Sequence, residues 1–309
     1  MSTLENEKSL SIFEISRMAT INGPGIRTMV HFKGCNLNCA WCSTPESKSY
    51  ERQISFSEQK CIGCRVCTGL CSEKAISIGE NGLAEIDWNK CINCLKCADG
   101  CCSTALSVIG ERYSVEEIFN YIMRDKNLYS RSGGGVTFSG GEILTHIDDD
   151  LIRLLEKLRD EKISVGFDTA GCVSEKIIDE VLPYADFFLW DIKLLDEQEH
   201  KRYTGKSNKT ILSNLFKVDE SGACIYLRCP IIPGVNDNDD FFRALMELSK
   251  KLKSLKEIDL LPFHKLGTSR YTRIGLRDPY SEIKELSEDY LEKKCKELLA
   301  EGFNAKIVG

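Results

Sequence analysis

Three cysteines lie close together near the start of the chain, in the stretch GCNLNCAWC at residues 34–42. Their spacing, C-x3-C-x2-C, places Cys35, Cys39 and Cys42 in one short loop, and no fourth cysteine completes the set nearby. Because iron–sulfur clusters are held by cysteine thiolates, three thiolates can hold three irons of a four-iron cluster. The fourth iron is then open to chelate a substrate or a cofactor. The motif therefore predicts a reactive iron–sulfur site rather than a closed electron carrier.

A second group of cysteines forms an internal repeat. The blocks CIGCRVCTGLCSEKAI, from residue 61, and CINCLKCADGCCSTAL, from residue 91, share the spacing C-x2-C-x2-C-x3-C. This run is typical of bacterial ferredoxins, in which three cysteines bind one 4Fe–4S cluster and the fourth binds the other. The rule predicts one cluster on Cys61, Cys64, Cys67 and Cys101, and another on Cys91, Cys94, Cys97 and Cys71.

Two alternatives stay open within this repeat. Structural zinc also binds cysteine thiolates, although it prefers separated C-x2-C pairs to two consecutive runs of four. Cys102 stands directly after Cys101, where ferredoxin runs usually have proline. We expect Cys101 to be the ligand, but the adjacent thiol keeps the other assignment open.

The composition of the whole chain agrees with metal binding by thiols. Twelve of the sixteen cysteines in the 309 residues lie between residues 35 and 102, and disulfides are disfavoured in a reducing compartment. The first residues, MSTLENEKSLSIFEIS, are polar, and no apolar run approaches the ~18–20 residues of a membrane span. We therefore expect a cytoplasmic protein without a signal peptide or a membrane partner. Since 41 basic residues face 47 acidic ones, we expect no nucleic-acid partner either.

Alternating strand and helix patterns surround the repeat and must position these cysteines. Ser114 and Glu117 form a capping-box sequence ahead of one helix. Such alternation predicts a parallel sheet covered by helices. We predict an α/β fold with a partial (β/α)6-type parallel barrel, because about six units are visible against eight in a complete barrel. Runs rich in β-branched and aromatic residues predict strands at 28–32, 135–139, 164–168, 187–192, 224–232 and 257–263.

The repeat interrupts this alternation, so we expect an inserted domain. Residues 56–110 would form a ferredoxin-like domain with two 4Fe–4S clusters, and residues 1–55 and 111–309 would form the two parts of the core. The motifs FDTAG and LWDIK both end predicted strands. Because functional residues of parallel barrels gather at the carboxyl ends of strands, we expect these motifs to share one site.

In combination, these motifs resemble the radical S-adenosylmethionine (SAM) superfamily, whose signature is C-x3-C-x2-C with an aromatic residue, here Trp41, before the third cysteine. The similarity is to glycyl radical enzyme activating enzymes and covers nearly the whole chain. The insert resembles the branch that activates glycerol, choline, hydroxyproline and arylacetate-type glycyl radical enzymes, and the short pyruvate formate-lyase activator lacks it. The motifs in family order are NGPGIRT (22–28), GCNLNCAWCSTPES (34–47), GGGVTFSGGE (133–142), DTAG (168–171), DIK (191–193), YTGKSN (203–208) and RCPIIPGVND (228–237).

The resemblance implies a role for each matching site residue. Cys35, Cys39 and Cys42 would hold the site cluster, whose open iron binds the amino and carboxylate groups of the methionyl moiety of SAM. Cofactor binding would involve Trp41 and the following residues: Gly140, Gly141 and Glu142 at the methionyl amino group; Asp168, Thr169 and Asp191 at a monovalent cation; Lys193, which we also place in the catalytic set, and Arg228 at the cofactor carboxylate; and His264 near the sugar.

The resemblance also implies an oxidoreductase activity. Three 4Fe–4S clusters would be present, and reduced SAM would give a 5′-deoxyadenosyl radical that takes hydrogen from a backbone glycine of a partner glycyl radical enzyme. Flavodoxin or ferredoxin would supply the electron, and the auxiliary clusters would either pass it inward or only shape or dock the partner. We expect a monomer. The alternative functions are a radical SAM enzyme acting on a small molecule or peptide, and a multi-cluster electron carrier without catalysis.

Overall fold

Thirteen strands and eleven α-helices form between residues 9 and 308, the part of the chain that the computed structural model describes. Residues 1–8, which contain half of the polar stretch behind the signal-peptide prediction, and residue 309 lie outside the described residues. The strands are β1 (Leu10–Ala19), β2 (Arg27–Phe32), β3 (Gln53–Phe56), β4 (Ile76–Ile78), β5 (Ala84–Ile86), β6 (Leu106–Ile109), β7 (Glu111–Tyr113), β8 (Gly135–Gly140), β9 (Ser164–Thr169), β10 (Phe187–Asp191), β11 (Cys224–Ile231), β12 (Leu255–Pro262) and β13 (Ala305–Ile307). The helices are α1 (Val66–Leu70), α2 (Lys96–Asp99), α3 (Val115–Met123), α4 (Lys126–Ser132), α5 (Asp149–Asp160), α6 (Glu175–Val181), α7 (Glu197–Thr204), α8 (Lys209–Glu220), α9 (Asp239–Ser249), α10 (Thr268–Arg273) and α11 (Glu288–Ala300).

Nine strands form the main sheet, in the order β13-β12-β11-β10-β9-β8-β2-β1-β7. The six predicted strands are β2 and β8 to β12, and they pair side by side in parallel. Strand β13 extends the parallel part, whereas β1 and β7 add antiparallel pairs at the other edge. The predicted α/β fold with a parallel-dominated sheet is therefore confirmed. Within the described residues the sheet is open, because β13 and β7 do not pair with each other.

The helices pack against the apolar side of the main sheet. In α5, Leu151, Leu154, Leu155 and Leu158 are fully buried, as the helical spacing of these leucines predicts. Full burial of a leucine side chain contributes about 1.5–3 kcal/mol. Between the helices and the sheet, aromatic rings on neighbouring strands pack against one another. Phe167 on β9 stacks on Phe188 on β10, with the ring centroids 5.7 Å apart. This packing leaves the other side of the sheet free for polar residues.

Helix α3 begins where the capping-box sequence predicts. The Ser114 hydroxyl accepts a hydrogen bond from the Glu117 backbone N–H at 3.2 Å, and the Glu117 carboxylate accepts one from the Ser114 N–H at 2.8 Å. Two backbone donors that a helix start leaves unpaired are satisfied in this way. No helix within residues 9–308 combines the length and the apolar character that crossing a membrane requires.

The cysteine repeat forms a small unit with two two-stranded sheets, β3–β6 and β4–β5, and the short helices α1 and α2. Its apolar residues make a separate core around Ile54, Ile76 and Leu106. Left-handed backbone conformation is uncommon outside glycine. Positive φ angles recur at positions thirty residues apart, so the two halves of the repeat have the same local backbone conformation. The matched positions and φ values are Gly63 and Asn93 (66° and 51°), Arg65 and Leu95 (65° and 68°), and Lys74 and Thr104 (49° and 57°).

A buried lysine joins this unit to the main sheet. Lys33, at the end of β2, is fully buried, and its ammonium donates to the Gln53 side-chain oxygen at 2.6 Å and to the Glu46 carbonyl. Its aliphatic stem packs against Gly110, where a Cβ would lie 2.4 Å from Lys33 Cδ. Burial lowers the pKa of Lys33 to about 8. Both chain crossings between core and repeat, near residues 53 and 110, therefore meet at one side chain.

Candidate active site

A cavity of about 410 Å³ opens at the carboxyl ends of the parallel strands. This size is within the 300–1,000 Å³ that is typical of small-molecule sites. The cavity brings together every residue that the sequence predicts for the reactive site and the cofactor. These lining residues are Cys35, Cys39, Cys42, Trp41, Gly140, Gly141, Glu142, Asp168, Thr169, Asp191, Lys193, Arg228 and His264.

The three-cysteine loop is held by backbone hydrogen bonds to the end of α7. The Asn38 N–H donates to the Thr204 carbonyl at 2.8 Å, and the Ala40 N–H donates to the Tyr203 carbonyl at 2.9 Å. The Tyr203 ring also lies 5.7 Å from the Trp41 ring. Tyr203 and Thr204 of the YTGKSN motif therefore hold the backbone of the cysteine loop in its observed conformation.

Burial sets the protonation of two of these thiols. It raises the pKa of Cys35 to about 12, with a further contribution from the Glu142 carboxylate, and it raises the pKa of Cys39 to about 11. The Leu37 N–H donates to the Cys35 sulfur at 3.4 Å. Because metal ligands must be thiolates, binding of iron here would release protons.

The glycines of SGGE let two backbone segments touch. The Gly141 N–H donates to the Phe32 carbonyl at 2.8 Å, and the Glu142 N–H donates to the Gly34 carbonyl at 2.9 Å. A Cβ on Gly141 would lie 2.0 Å from the Gly34 carbonyl oxygen. Only glycine allows this approach, which places SGGE directly beside the cysteine loop.

The Glu142 carboxylate connects this motif to DTAG. It is 1% exposed and accepts hydrogen bonds from the backbone N–H groups of Leu144 at 3.1 Å and Ala170 at 2.9 Å, and from the Thr169 hydroxyl. Burial raises the pKa of Glu142, although these three hydrogen bonds oppose that shift. Both carboxylate oxygens therefore have protein partners, and Glu142 fixes the relative position of the two strand ends.

A group of charged side chains lies on the neighbouring strand ends. Lys193 Nζ lies 2.8 Å from Asp191 Oδ2, and the Ser139 hydroxyl donates to Asp168 Oδ2 at 2.8 Å. Arg228 Nη1 is 4.0 Å from Asp168 Oδ2, too long for a hydrogen bond. Burial raises the pKa of Asp168, and the Arg228 charge opposes that rise.

The two cations of this group, Lys193 and Arg228, have different surroundings. Burial alone would lower the pKa of Lys193, but the charges of Asp191 and Cys39 raise it. The Arg228 side chain is 8% exposed, and its buried Nη1 has no hydrogen-bond partner among the described residues. A buried donor without a partner costs about 1–3 kcal/mol, or more when it is charged. The site therefore offers an unused cationic donor to an anionic ligand.

The repeat cysteines gather in the crossed combination that the ferredoxin spacing predicts. Two small cavities contain four thiols each, and Cys102 is exposed and lines neither. Within residues 9–308, no three His, Cys, Asp or Glu side chains are arranged to hold a single metal ion. We name the groups thiol set A, with Cys61, Cys64, Cys67 and Cys101, and thiol set B, with Cys71, Cys91, Cys94 and Cys97.

Several polar residues of the site are absent from the sequence predictions. Asn22, His31 and Ser139 line the cavity, and Ser139 supports Asp168. Asn236 is fully buried and donates to the carbonyls of Lys193 at 2.9 Å and Pro230 at 2.7 Å, which positions the DIK segment. Asn22, Ser139 and Asn236 lie in the family motifs NGPGIRT, GGGVTFSGGE and RCPIIPGVND, so membership of these motifs was the available signal.

Comparison with known proteins gives consistent matches. The Radical SAM superfamily profile matches residues 94–245. A trans-4-hydroxy-L-proline dehydratase activating enzyme from Clostridioides difficile is 39% identical, covering 96% of this chain and 99% of that protein. A choline trimethylamine-lyase activating enzyme from Oleidesulfovibrio alaskensis is 36% identical, covering 93% and 94%. Among solved structures, a radical SAM methyltransferase from Sphaerobacter thermophilus shares the fold, with a TM-score of 0.55 and 14% identity over 91% of this chain and 66% of that one.

Proposed function

Because this chain belongs to the glycyl radical enzyme activating enzymes of the radical SAM superfamily, we propose that it reductively cleaves SAM to a 5′-deoxyadenosyl radical. The radical abstracts hydrogen from a backbone glycine of a partner glycyl radical enzyme. One observation carries this function: three cysteines, a glycine-lined strand end and a buried arginine whose Nη1 has no hydrogen-bond partner among the described residues converge on one cavity. The relatives act on several glycyl radical enzymes, which supports the same kind of partner for this chain.

The residues present fit a site cluster. Cys35, Cys39 and Cys42 would hold it, and the cluster supplies the single electron that breaks a carbon–sulfur bond of SAM. The Leu37 N–H donates to the Cys35 sulfur, and such hydrogen bonds favour the thiolate. Trp41 packs between the rings of Tyr203 and Tyr280, at 5.7 and 6.2 Å, and so keeps the loop in place. The protein's own contribution is to position the loop.

The charged strand ends fit the methionyl part of SAM. Arg228 offers its unpaired donor to the carboxylate, and Lys193 adds a second positive charge nearby. Gly140 and Gly141 let this strand end pack against the backbone of Phe32 and Gly34, so that it lies beside the cysteine loop. We assign the remaining roles as the resemblance implies: Glu142 at the amino group, Asp168, Thr169 and Asp191 at a monovalent cation, and His264 near the sugar.

We further propose that residues 56–110 form a ferredoxin-like domain between two core segments, 1–55 and 111–309. Thiol sets A and B would each bind a 4Fe–4S cluster, which makes three clusters with the site cluster. The crossed grouping of thiols supports this proposal, as does the hydrogen bond from the Leu106 N–H to the Cys101 sulfur at 3.3 Å. Cys101 lines the cavity of thiol set A and Cys102 lines neither cavity, which favours Cys101 as the ligand. A monomer in the cytoplasm that receives electrons from flavodoxin or ferredoxin remains our expectation.

The function is tested by anaerobic incubation of the reconstituted protein with SAM, a reductant and candidate glycyl radical enzymes. We expect 5′-deoxyadenosine together with the electron paramagnetic resonance (EPR) doublet of a glycyl radical on one of the partners. Deoxyadenosine that forms on a small molecule or peptide, without a glycyl radical on any partner, would favour a different radical SAM enzyme. Three reducible clusters that do not respond to SAM would favour an electron carrier.

Replacing Arg228 with glutamine should weaken SAM binding. Hydrogen bonds to charged groups contribute about 1.5–3 kcal/mol, so we expect the KM for SAM to rise roughly tenfold to a hundredfold. The measurement is deoxyadenosine formation against SAM concentration. Arg243→Gln is the matched control, since Arg243 is exposed on α9, outside the cavity, and pairs with Asp240. An unchanged KM in Arg228→Gln would contradict the assigned role.

A further inference from the structure

The two halves of the cysteine repeat share a backbone but surround their thiols with different side chains. The matched φ values place residue 65 opposite residue 95 in the repeat, and residue 73 opposite residue 103. Each of these four residues lines one of the two thiol cavities. The two halves can therefore be compared directly, because their backbone conformation is the same and their side chains differ.

The charges at these positions differ in a consistent sense. Arg65 lines the cavity of thiol set A, and its counterpart Leu95 lines that of set B. Ser103 lines the cavity of set A, and its counterpart Glu73 lines that of set B. Among the described residues that line these cavities, set A has one cation and no anion, and set B has one anion and no cation.

Hydrogen bonds to sulfur follow the same order. In set A, the Ala84 N–H donates to Cys61 at 3.4 Å, the Leu106 N–H donates to Cys101 at 3.3 Å, and the Ser103 hydroxyl lies 3.7 Å from the Cys101 sulfur. In set B, the Ala75 N–H donates to the Cys71 sulfur at 3.2 Å. Net charge and hydrogen bonds to the sulfurs are two factors that set the reduction potential of an iron–sulfur cluster.

Both factors act in one direction. One-electron reduction adds a negative charge to a cluster, so a nearby cation or a donor to sulfur stabilises the reduced form, and a nearby carboxylate destabilises it. We propose that, when both sets hold 4Fe–4S clusters, the cluster at set A has the higher reduction potential and is reduced first. This inference rests on the proposed function only in assuming that both sets carry clusters.

The positions of the two sets relative to the core indicate which cluster an external electron donor would reduce first. Set B lies on the core side: Ile54, which lines its cavity, follows the Gln53 that Lys33 binds, and Trp88, just before Cys91, packs against Gly275. Set A lies farther along β3, beside Phe56. A one-electron carrier such as a reduced flavodoxin or ferredoxin would therefore load the outer cluster first, losing one electron to it without proton transfer.

The test is a reductive titration of the anaerobic holoprotein without SAM, followed by EPR. Glu73→Ser copies the other half of the repeat and should raise the lower of the two auxiliary midpoint potentials. At a fixed potential near that midpoint, we expect the ratio of reduced to oxidised cluster to increase roughly threefold to tenfold. Ser103→Glu should lower the higher midpoint by a similar amount. Glu80→Ser is the control, because Glu80 is an exposed acid of the same repeat that lines neither cavity.

Several outcomes would overturn the proposal. They are a shift of the higher midpoint in Glu73→Ser, no larger shift in Glu73→Ser than in Glu80→Ser, and a rise of the higher midpoint in Ser103→Glu. Iron and sulfide content identifies any variant that has lost a cluster. If Ser103→Glu has lost one, Arg65→Leu is used in its place, because it should also lower the higher midpoint. Failure of SAM cleavage would contradict the proposed function and leave the order of these potentials intact.

Discussion

Replacing Cys39 with alanine should abolish 5′-deoxyadenosine formation while the two auxiliary clusters stay in place. Cys39 is one of three thiols that would hold the site cluster, and its loss leaves two, too few for a stable cluster with one open iron. The loop itself should remain folded, because its neighbours Asn38 and Ala40 are bonded to the end of α7 through backbone atoms. The rest of the site would be present without its electron source.

Iron analysis and activity measured on the same preparation check this expectation. With three clusters in the starting protein, the variant should lose about one third of its iron. Cys102→Ala is the matched control, since Cys102 is exposed and lines neither thiol cavity, and it should keep both iron and activity. Deoxyadenosine formation by Cys39→Ala at the starting rate would refute the assignment of the site cluster.

Replacing Gly141 with alanine should have a comparable effect through geometry alone. The new Cβ would lie 2.0 Å from the Gly34 carbonyl oxygen and 2.5 Å from the Gly34 carbonyl carbon, so two backbone segments must separate. That movement would break the hydrogen bond from the Glu142 N–H to Gly34, next to Cys35. We expect a loss of activity of at least about a hundredfold, since small misplacements of reacting groups cost that much. Overpacking should also reduce the free energy of unfolding by about 1–3 kcal/mol.

The measurements for Gly141→Ala are deoxyadenosine formation, iron content and denaturant unfolding. Gly69→Ala provides the control, because Gly69 lies in α1 and a Cβ there meets no atom within 4 Å. It should be neutral or slightly stabilising, as alanine is the better helix former. If Gly141→Ala kept full activity, the close contact between SGGE and the cysteine loop would not be required.

The sequence was most informative for the parallel strands, for the residues at their carboxyl ends and for the cysteine groups. The six parallel strands follow from their β-branched and aromatic runs, and residues at their carboxyl ends meet because parallel strands end at one edge. The crossed thiol sets follow from the ferredoxin rule that the fourth cysteine of each run joins the other cluster, and the two cavities group the thiols in that combination. Local patterns are sufficient for these features.

Other features depend on contacts between distant residues, which no local pattern encodes. The edge strands β7 and β13 have three residues each, too few for a periodic signal. The hydrogen bond between Ser139 and Asp168 and the bond from Asn236 to the Lys193 carbonyl join segments 29 and 43 residues apart. Glu142 matched the family motif, but the structure alone shows that its carboxylate is shared between two strand ends.

The buried Lys33 has a consequence for how separable the cysteine repeat is from the rest of the molecule. Its two acceptors, Gln53 and the Glu46 carbonyl, lie before residue 56, whereas Gly110 at the far end of the repeat covers its aliphatic stem. Removal of residues 56–110 would therefore keep both acceptors and open the lysine stem to water. The burial of Lys33 is thus a property of the chain that carries the repeat, and position 33 would be free to vary in a relative without it.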